Sequence, residues 1–193
     1  MIKLLNFINN KIKEKKAGFS LLYVMLAFIT ILIITGLTDI LHKTYVLNEI
    51  QSMMDVAGVS SLKVGVDEKK LRLEIFDIKE TYVKNTFKYQ MTNLLNNSQT
   101  VKSYKLSDDM IKLSVINSNW GLGGITKSRP QAVLDTVITL KIKSSYFFDL
   151  VPGISEKFYS SLNNNNFTVT LSGETNDGYD ELIIRSVSRL VYR

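Results

Sequence analysis

The longest feature of the hydrophobic pattern is a run of 22 residues without a charged side chain, Ala17 to Thr38. At about 1.5 Å per helical residue it reaches roughly 33 Å, enough to cross a bilayer's hydrocarbon core, which is about 30 Å thick. The end of the run and the residues that follow, ITGLTDILHK, contain no small-x-small site for ordinary signal cleavage, and the run is longer than a typical signal-peptide core. We therefore predict a membrane-spanning helix that stays on the protein.

The helical pattern continues past the apolar run as an amphipathic half. Its apolar residues recur at intervals of three, four or seven: Ile40, Leu47, Ile50, Met54 and Ala57. Gly58 is tolerated inside a helix at about 1 kcal/mol. We expect the helix to end at Gly65, since glycine is the usual residue at a helix C-terminus. A helix from Phe19 to about Leu62 is roughly 66 Å long by the same rise.

A second, shorter helix is predicted from about Asp77 to Asn97. Its expected apolar face is broad and consists of Ile78, Tyr82, Phe87, Met91, Leu94 and Leu95. The preceding segment, LRLEIFDI, fits either a strand or the start of a helix. The pattern breaks at Asn96 to Ser98.

The sequence then changes to β-branched, partly alternating runs, which predict an antiparallel sheet. These runs are MIKLSVI, AVLDTVITLKIKS, FTVTLSG and ELIIRSVSRLVYR, the last of which also fits a helix. Loops are predicted for WGLGGITKSRP, VPGIS and LNNNNF, with a tight turn at Pro152–Gly153. Because helices come first and strands follow, the predicted fold class is α+β.

Charge places the segments relative to the predicted membrane. The net charge is +6, but residues 1–16 hold five lysines against Glu14, and the remaining 19 basic and 17 acidic residues nearly balance. A flank of lysines favours a cytoplasmic N-terminus and a C-terminal part outside. The balanced remainder gives no reason to expect direct nucleic-acid binding. We predict a basic leader over 1–18, a long helix over 19–65 that spans the membrane to about residue 38, and an extracytoplasmic α+β domain over 66–193.

Few residues suggest catalytic or metal chemistry. Cysteine is absent, which excludes thiol chemistry. His42 is the only histidine, so a zinc site or a Ser-His-Asp triad would have to be built around this juxtamembrane residue, and we expect neither. WGLGG, beginning at Trp120, has no phosphate-loop spacing; a loop with a tryptophan tip or a partner contact remains open. Asp108–Asp109 and Asn176–Gly178 carry oxygen ligands without the spacing of a calcium loop, which favours turns. We expect no enzyme activity, no metal and no cofactor.

The stretch KKAGFSLLYVMLAFITILI resembles the leader and helix of type IV pilin-like proteins: a lysine-rich leader, Gly18, Phe19, and an apolar helix that starts at once. The resemblance implies that a prepilin peptidase cuts between Gly18 and Phe19. Removal of the basic leader would free the helix to pack with other pilin helices. The motif covers about a tenth of the chain.

Two further comparisons refine the resemblance. Pilins usually carry glutamate at the fifth residue of the mature chain, where this chain has Tyr23. A tyrosine offers a hydroxyl and no charge, which suits a minor or tip pilin better than a repetitively stacked major subunit. The remainder, from IQSMMDVAGVSSL to FTVTLSGE, is similar without diagnostic residues to tight-adherence (TadE-like) minor pilins.

The resulting expectation is a minor pilin or pseudopilin of a type IV filament or a related secretion, adhesion or conjugation machine. Its expected partners are the prepilin peptidase, other pilin subunits, the inner assembly platform and membrane lipid. Gly18 and Phe19 are the processing residues. The residues expected to pack in membrane or filament are Leu21, Leu22, Tyr23, Met25, Leu26, Phe28, Ile29, Ile33 and Gly36. The amphipathic half is expected to pack on its own sheet with one face and on neighbouring subunits with the other. The alternative is an uncleaved, signal-anchored binding protein.

Overall fold

The computed structural model describes residues 2–73, 75–122, 125–144, 153–175 and 178–192. The elements follow in the order α1 (Ile2–Gly65), α2 (Glu68–Leu71), α3 (Glu80–Asn97), β1 (Val101–Lys105), a 3-10 turn (Asp108–Met110), β2 (Ile111–Leu122), β3 (Ile125–Lys143), α4 (Ile154–Ser161), β4 (Phe167–Thr175) and β5 (Tyr179–Val191). A long apolar N-terminal helix and a small antiparallel sheet confirm the α+β class.

Helix α1 begins at Ile2, before the expected start at Phe19, and includes the predicted leader. No proline occurs between residues 2 and 65. The leader is too short to form a stable helix alone. Here it continues a helix that is already formed, so its residues do not bear the free-energy cost of nucleation. The contacts divide the chain into two compact units, Met1–Thr44 and Tyr45–Arg193. Residues 45–65 of α1 thus belong to the same unit as the sheet.

The C-terminus of α1 lies at Gly65 as predicted, but not through a left-handed backbone. Among the described glycines only Gly153 and Gly178 have positive φ. A Cβ on Gly65 would lie 2.2 Å from Cγ2 of Val83 on α3, so glycine is needed for close packing. The chain then returns through α2, and the Lys79 N–H donates to the Gly65 carbonyl at 2.8 Å.

The sheet is built around the 19-residue strand β3. The strand order is β1-β3-β5-β4. β2 and β1 both pair with the same edge of β3, β2 with residues 125–136 and β1 with residues 139–142. All pairings are antiparallel. β5 pairs with β3 over thirteen residues, Tyr179 to Val191, and joins it to β4.

One core lies between the helices and a face of the sheet. α1 contributes four of the five predicted apolar positions, Leu47, Ile50, Met54 and Ala57, all at most 1% exposed, whereas the fifth, Ile40, is half-buried. From α3 come Val83, Phe87, Met91 and Leu95, and from the centre of the sheet Leu134, Ile138, Leu140, Leu182 and Ile184. The alternation of buried residues on β3 and β5 follows from the two-residue period of a strand.

Several predicted elements require correction. Tyr82, assigned to the apolar face of α3, is 60% exposed, because the buried stripe runs through Val83 at a spacing of four residues. The loop predicted for WGLGGITKSRP is wrong: β2 continues to Leu122 and β3 starts at Ile125, with Trp120 pairing Lys127. LRLEIFDI is neither a full strand nor a long helix; only Leu71 belongs to α2 and Ile78 makes an isolated bridge to Val66.

The remaining differences are two elements that were not predicted and one strand that was ambiguous. β1 and α4 were both missed: each is short, at five and eight residues. The last run of the chain, ELIIRSVSRLVYR, is a strand rather than a helix through Val191. Gly153 has φ +77° beside α4, as a tight turn requires, whereas Pro152 lies outside the described residues.

Candidate functional site

The candidate site is the apolar part of α1, which the structure describes as one unbroken helix through the Gly18–Phe19 junction. The segment from Leu22 onward is long and apolar enough to cross a membrane by length and composition. This confirms a single candidate transmembrane helix in the described part of the chain. The sequence provides it because no charged residue falls between Lys16 and Asp39.

The predicted packing residues present an exposed apolar surface on all sides of this helix. Their exposed fractions are 56% for Leu22, 68% for Tyr23, 59% for Met25, 58% for Leu26, 62% for Phe28, 52% for Ile29 and 57% for Ile33, and the processing residue Phe19 is 64% exposed. Gly36 is buried, and the side chain of Leu21 and the surroundings of Gly18 lie outside the described part. Such a surface is stable only against lipid or other apolar helices.

Three threonines interrupt the apolar surface without leaving their hydroxyls unpaired. Thr30 Oγ1 donates to the Leu26 carbonyl at 2.8 Å, and Thr35 and Thr38 make the equivalent bonds four residues back, at 2.9 and 2.8 Å. Hydroxyls bonded within their own helix are compatible with hydrocarbon, where unsatisfied polar groups cost several kcal/mol.

In the domain, the amphipathic half of α1 has two different faces. One face is in the core, as described above. The other is exposed: Tyr45 is 68% and Val56 61% accessible, and with Met53 and Leu94 of α3 they line a shallow groove of about 390 Å³. Packing on the domain's own sheet is thus observed, whereas packing on neighbouring subunits stays a prediction.

The acidic residues considered as calcium ligands do not form a metal site in the described part. Asp108 and Asp109 lie in a 3-10 turn, where Asp108 forms an ion pair with Lys88 at 2.5 Å. A hydrogen bond from the Ser107 hydroxyl is the main cause that lowers the pKa of Asp109. No group of three or more His, Asp or Glu residues able to hold a metal occurs among the described residues. Asn176 and Asp177 lie outside them, and His42 is exposed on α1.

No protein family, curated protein or solved structure matches this chain.

Proposed function

We propose that this protein is a structural minor pilin or pseudopilin, a non-catalytic subunit of a type IV filament or a related secretion, adhesion or conjugation machine. The observation that carries the proposal is one unbroken helix that combines a lysine-rich leader, a Gly18–Phe19 junction and an exposed apolar surface, and then enters a compact α+β domain. An anchor alone needs only about 20 apolar residues. Here α1 runs on to Gly65, well beyond the apolar run.

Processing is proposed after Gly18 by a prepilin peptidase on the cytoplasmic side of the membrane. The five lysines of the leader hold that end in the cytoplasm, since positive flanks resist translocation. Cleavage removes these charges from the helix that starts at Phe19. A helix without the basic flank leaves the bilayer more easily and packs with other apolar helices.

The role of a minor subunit follows from Tyr23. A carboxylate at this position in the membrane is costly and needs a partner such as a neighbouring terminal amine. Tyr23 is 68% exposed and carries a phenol instead. The phenol does not form that ion pair, which favours a subunit at one place in the assembly over a repetitively stacked one.

Cysteine cross-linking tests the proposed packing. Because the sequence has no native cysteine, every cross-link must involve an introduced one. Leu26→Cys and Ile33→Cys would be introduced separately into the full chain and oxidised in cells that contain the assembly machinery. We expect cross-links to other pilin subunits, each carrying a matched cysteine, that depend on an active assembly ATPase. Gln99→Cys, at an exposed position after α3, is the control. Equal cross-linking of all three variants, or none in the helix, would contradict the proposal.

The second candidate is an uncleaved anchored protein whose outer domain binds a ligand. The specific observation that favours it is a groove of about 870 Å³ in the domain, within the size range of ligand sites. The two candidates differ in the fate of the leader, because only the pilin requires its removal.

A further inference from the structure

Strand β5 extends beyond its neighbour β4 at one end. β4 begins at Phe167, which pairs with Ser186, and the Val187 N–H then donates to the Asn166 carbonyl at 2.8 Å. β5 continues to Val191, and these last residues pair only with β3 on the other side. The end of β5 therefore has one open edge.

The backbone groups of Arg189 and Val191 point to this edge. Along an antiparallel strand, residues bond alternately to the neighbour on one side and the neighbour on the other. The Tyr192 N–H donates to the carbonyl of Pro130 in β3, at 3.2 Å, whereas Val187 bonds on the β4 side. The register with β3 has no shift from Val187 to Val191. Arg189 and Val191 thus face the same side as Val187, where the described part of the chain supplies no partner strand.

A groove of about 870 Å³, here called the β5 edge groove, lies along this edge. Its walls come from a stripe of α1, the asparagine loop before β4 and the end of β5: Gln51, Asp55 and Val59; Asn164, Asn165 and Asn166; Val187, Ser188 and Arg189. The α1 stripe runs from Gln51 to Val59, eight residue steps of helix, or about 12 Å. That length matches about four residues of extended chain at roughly 3.3 Å each.

The charges of the groove indicate what an added chain would carry. Asp55 is exposed on α1, and its Oδ1 accepts a hydrogen bond from the Ser186 hydroxyl at 3.2 Å. Buried side chains on β5 fall on even numbers, at Ser186 and Ser188, so the side chain of Arg189 extends from the opposite face of the sheet. Asp55 is thus the charge that faces the groove, and it favours a basic side chain.

We propose that the β5 edge groove binds an extended segment of a partner protein as an added β-strand, with a lysine or arginine of that segment at Asp55. The N–H and C=O groups of Arg189 supply the main-chain bonds, as in other cases of strand addition. Unpaired edges are normally blocked or covered in soluble domains. This inference does not depend on cleavage after Gly18.

The test uses the full chain in detergent micelles and measures fluorescence anisotropy of a labelled hexapeptide. The probe alternates threonine and valine, with lysine in place of one central threonine; matched probes carry glutamate at that place or N-methyl groups on alternate backbone nitrogens. Arg189→Pro removes the edge-facing N–H and no bond to β3. Arg189→Gln keeps that N–H and is its control.

We expect the lysine peptide to bind wild type and Arg189→Gln equally, and Arg189→Pro at least tenfold more weakly. N-methylation should abolish binding to the wild type, which keeps the test valid even if the proline variant misfolds. The glutamate peptide should bind more weakly, and Asp55→Asn should reduce this difference. Hydrogen exchange at residues 187–191 should slow on binding. Absence of binding, or binding insensitive to N-methylation, would overturn the proposal. Equal protection of 187–191 by self-association, without peptide, would assign the edge to a second copy and also overturn it.

Discussion

Gly58 of α1 and Ser188 of β5 approach so closely that a Cβ on the glycine would lie 2.1 Å from the Ser188 Oγ and 2.7 Å from its Cβ. Both positions are buried. The lack of a side chain at residue 58 therefore allows α1 to pack this closely on β5.

Gly58→Ala should lower the stability of the domain by about 1–3 kcal/mol, the usual range for overpacking. At a helix position without contacts, the same change stabilises by roughly 0.5–1 kcal/mol, so the sign of the effect is informative. Thermal unfolding of the full chain in detergent, followed by circular dichroism, measures it. Gly173→Ala is a matched control, since a Cβ there meets nothing within 4 Å. Restoration of stability by adding Ser188→Gly would identify the contact, and an unchanged or raised Tm for Gly58→Ala alone would refute it.

A buried hydrogen bond joins α4 to β5. The Tyr159 hydroxyl donates to Oδ2 of Asp180 at 2.5 Å, and the two residues are 0% and 1% exposed. Tyr159→Phe should cost about 1–3 kcal/mol, because it removes a donor from a buried carboxylate. The same unfolding assay applies, with the exposed Tyr82→Phe as a control that should change stability by less than about 0.5 kcal/mol. Equal stability of both variants would mean that the bond contributes nothing.

Acid should loosen the segment between α1 and α3. Backbone N–H groups, chiefly that of Lys70, hold the pKa of Asp67 below its ordinary value, and a hydrogen bond with the Lys70 side chain is the main cause that lowers the pKa of Asp77. A carboxyl whose pKa is lowered in the folded state stabilises it above the unfolded pKa, about 3.9, and loses this effect as the pH falls through the folded value.

We therefore expect the amide protection of residues 66–79 to fall below about pH 4, after correction for intrinsic exchange. Hydrogen exchange at a series of pH values measures this, and the double variant Asp67→Asn and Asp77→Asn should show a weaker pH dependence in that segment. Protection that stays constant to pH 3 in the wild type would show that these carboxyls do not hold the segment.

The apolar helix should leave the membrane when its centre is charged. Ile29→Lys together with Ile33→Lys should disfavour insertion, at about 2.5–3.5 kcal/mol for each lysine near a helix centre. Ile29→Leu with Ile33→Leu is the matched control. Resistance to alkaline extraction measures the outcome, and full retention of the double-lysine protein in the membrane would argue against this span.

Sequence alone predicted most of the helical organisation, because helix patterns depend on local spacing. Leu47, Ile50, Met54 and Ala57 are buried as expected, and α1 ends at Gly65. The face of α3 was misjudged by one position, since Tyr82 and Val83 are both compatible with a broad apolar stripe and only packing against α1 selects the valine. The need for glycine at position 58 could not be predicted either, because it arises from a contact with Ser188, 130 residues away in sequence.

The strands were harder to delimit. Glycines and polar residues around Trp120 are typical of a loop, yet pairing with β3 extends the hairpin to Leu122. The exposed apolar surface of α1 was predictable, whereas the β5 edge groove was not: it depends on where β4 begins relative to β5. The hydrophobic pattern of a short segment does not indicate how two strands are aligned with each other.

The mass of the mature protein tests the central claim most directly. The full chain would be expressed in cells with an active prepilin peptidase, purified from the membrane and analysed by intact-mass and N-terminal peptide mass spectrometry, with Gly18→Val as the processing control. The proposed function predicts a chain that begins at Phe19 and a Gly18→Val variant that keeps residues 1–18. A wild-type protein that keeps its leader in those cells would contradict the proposal.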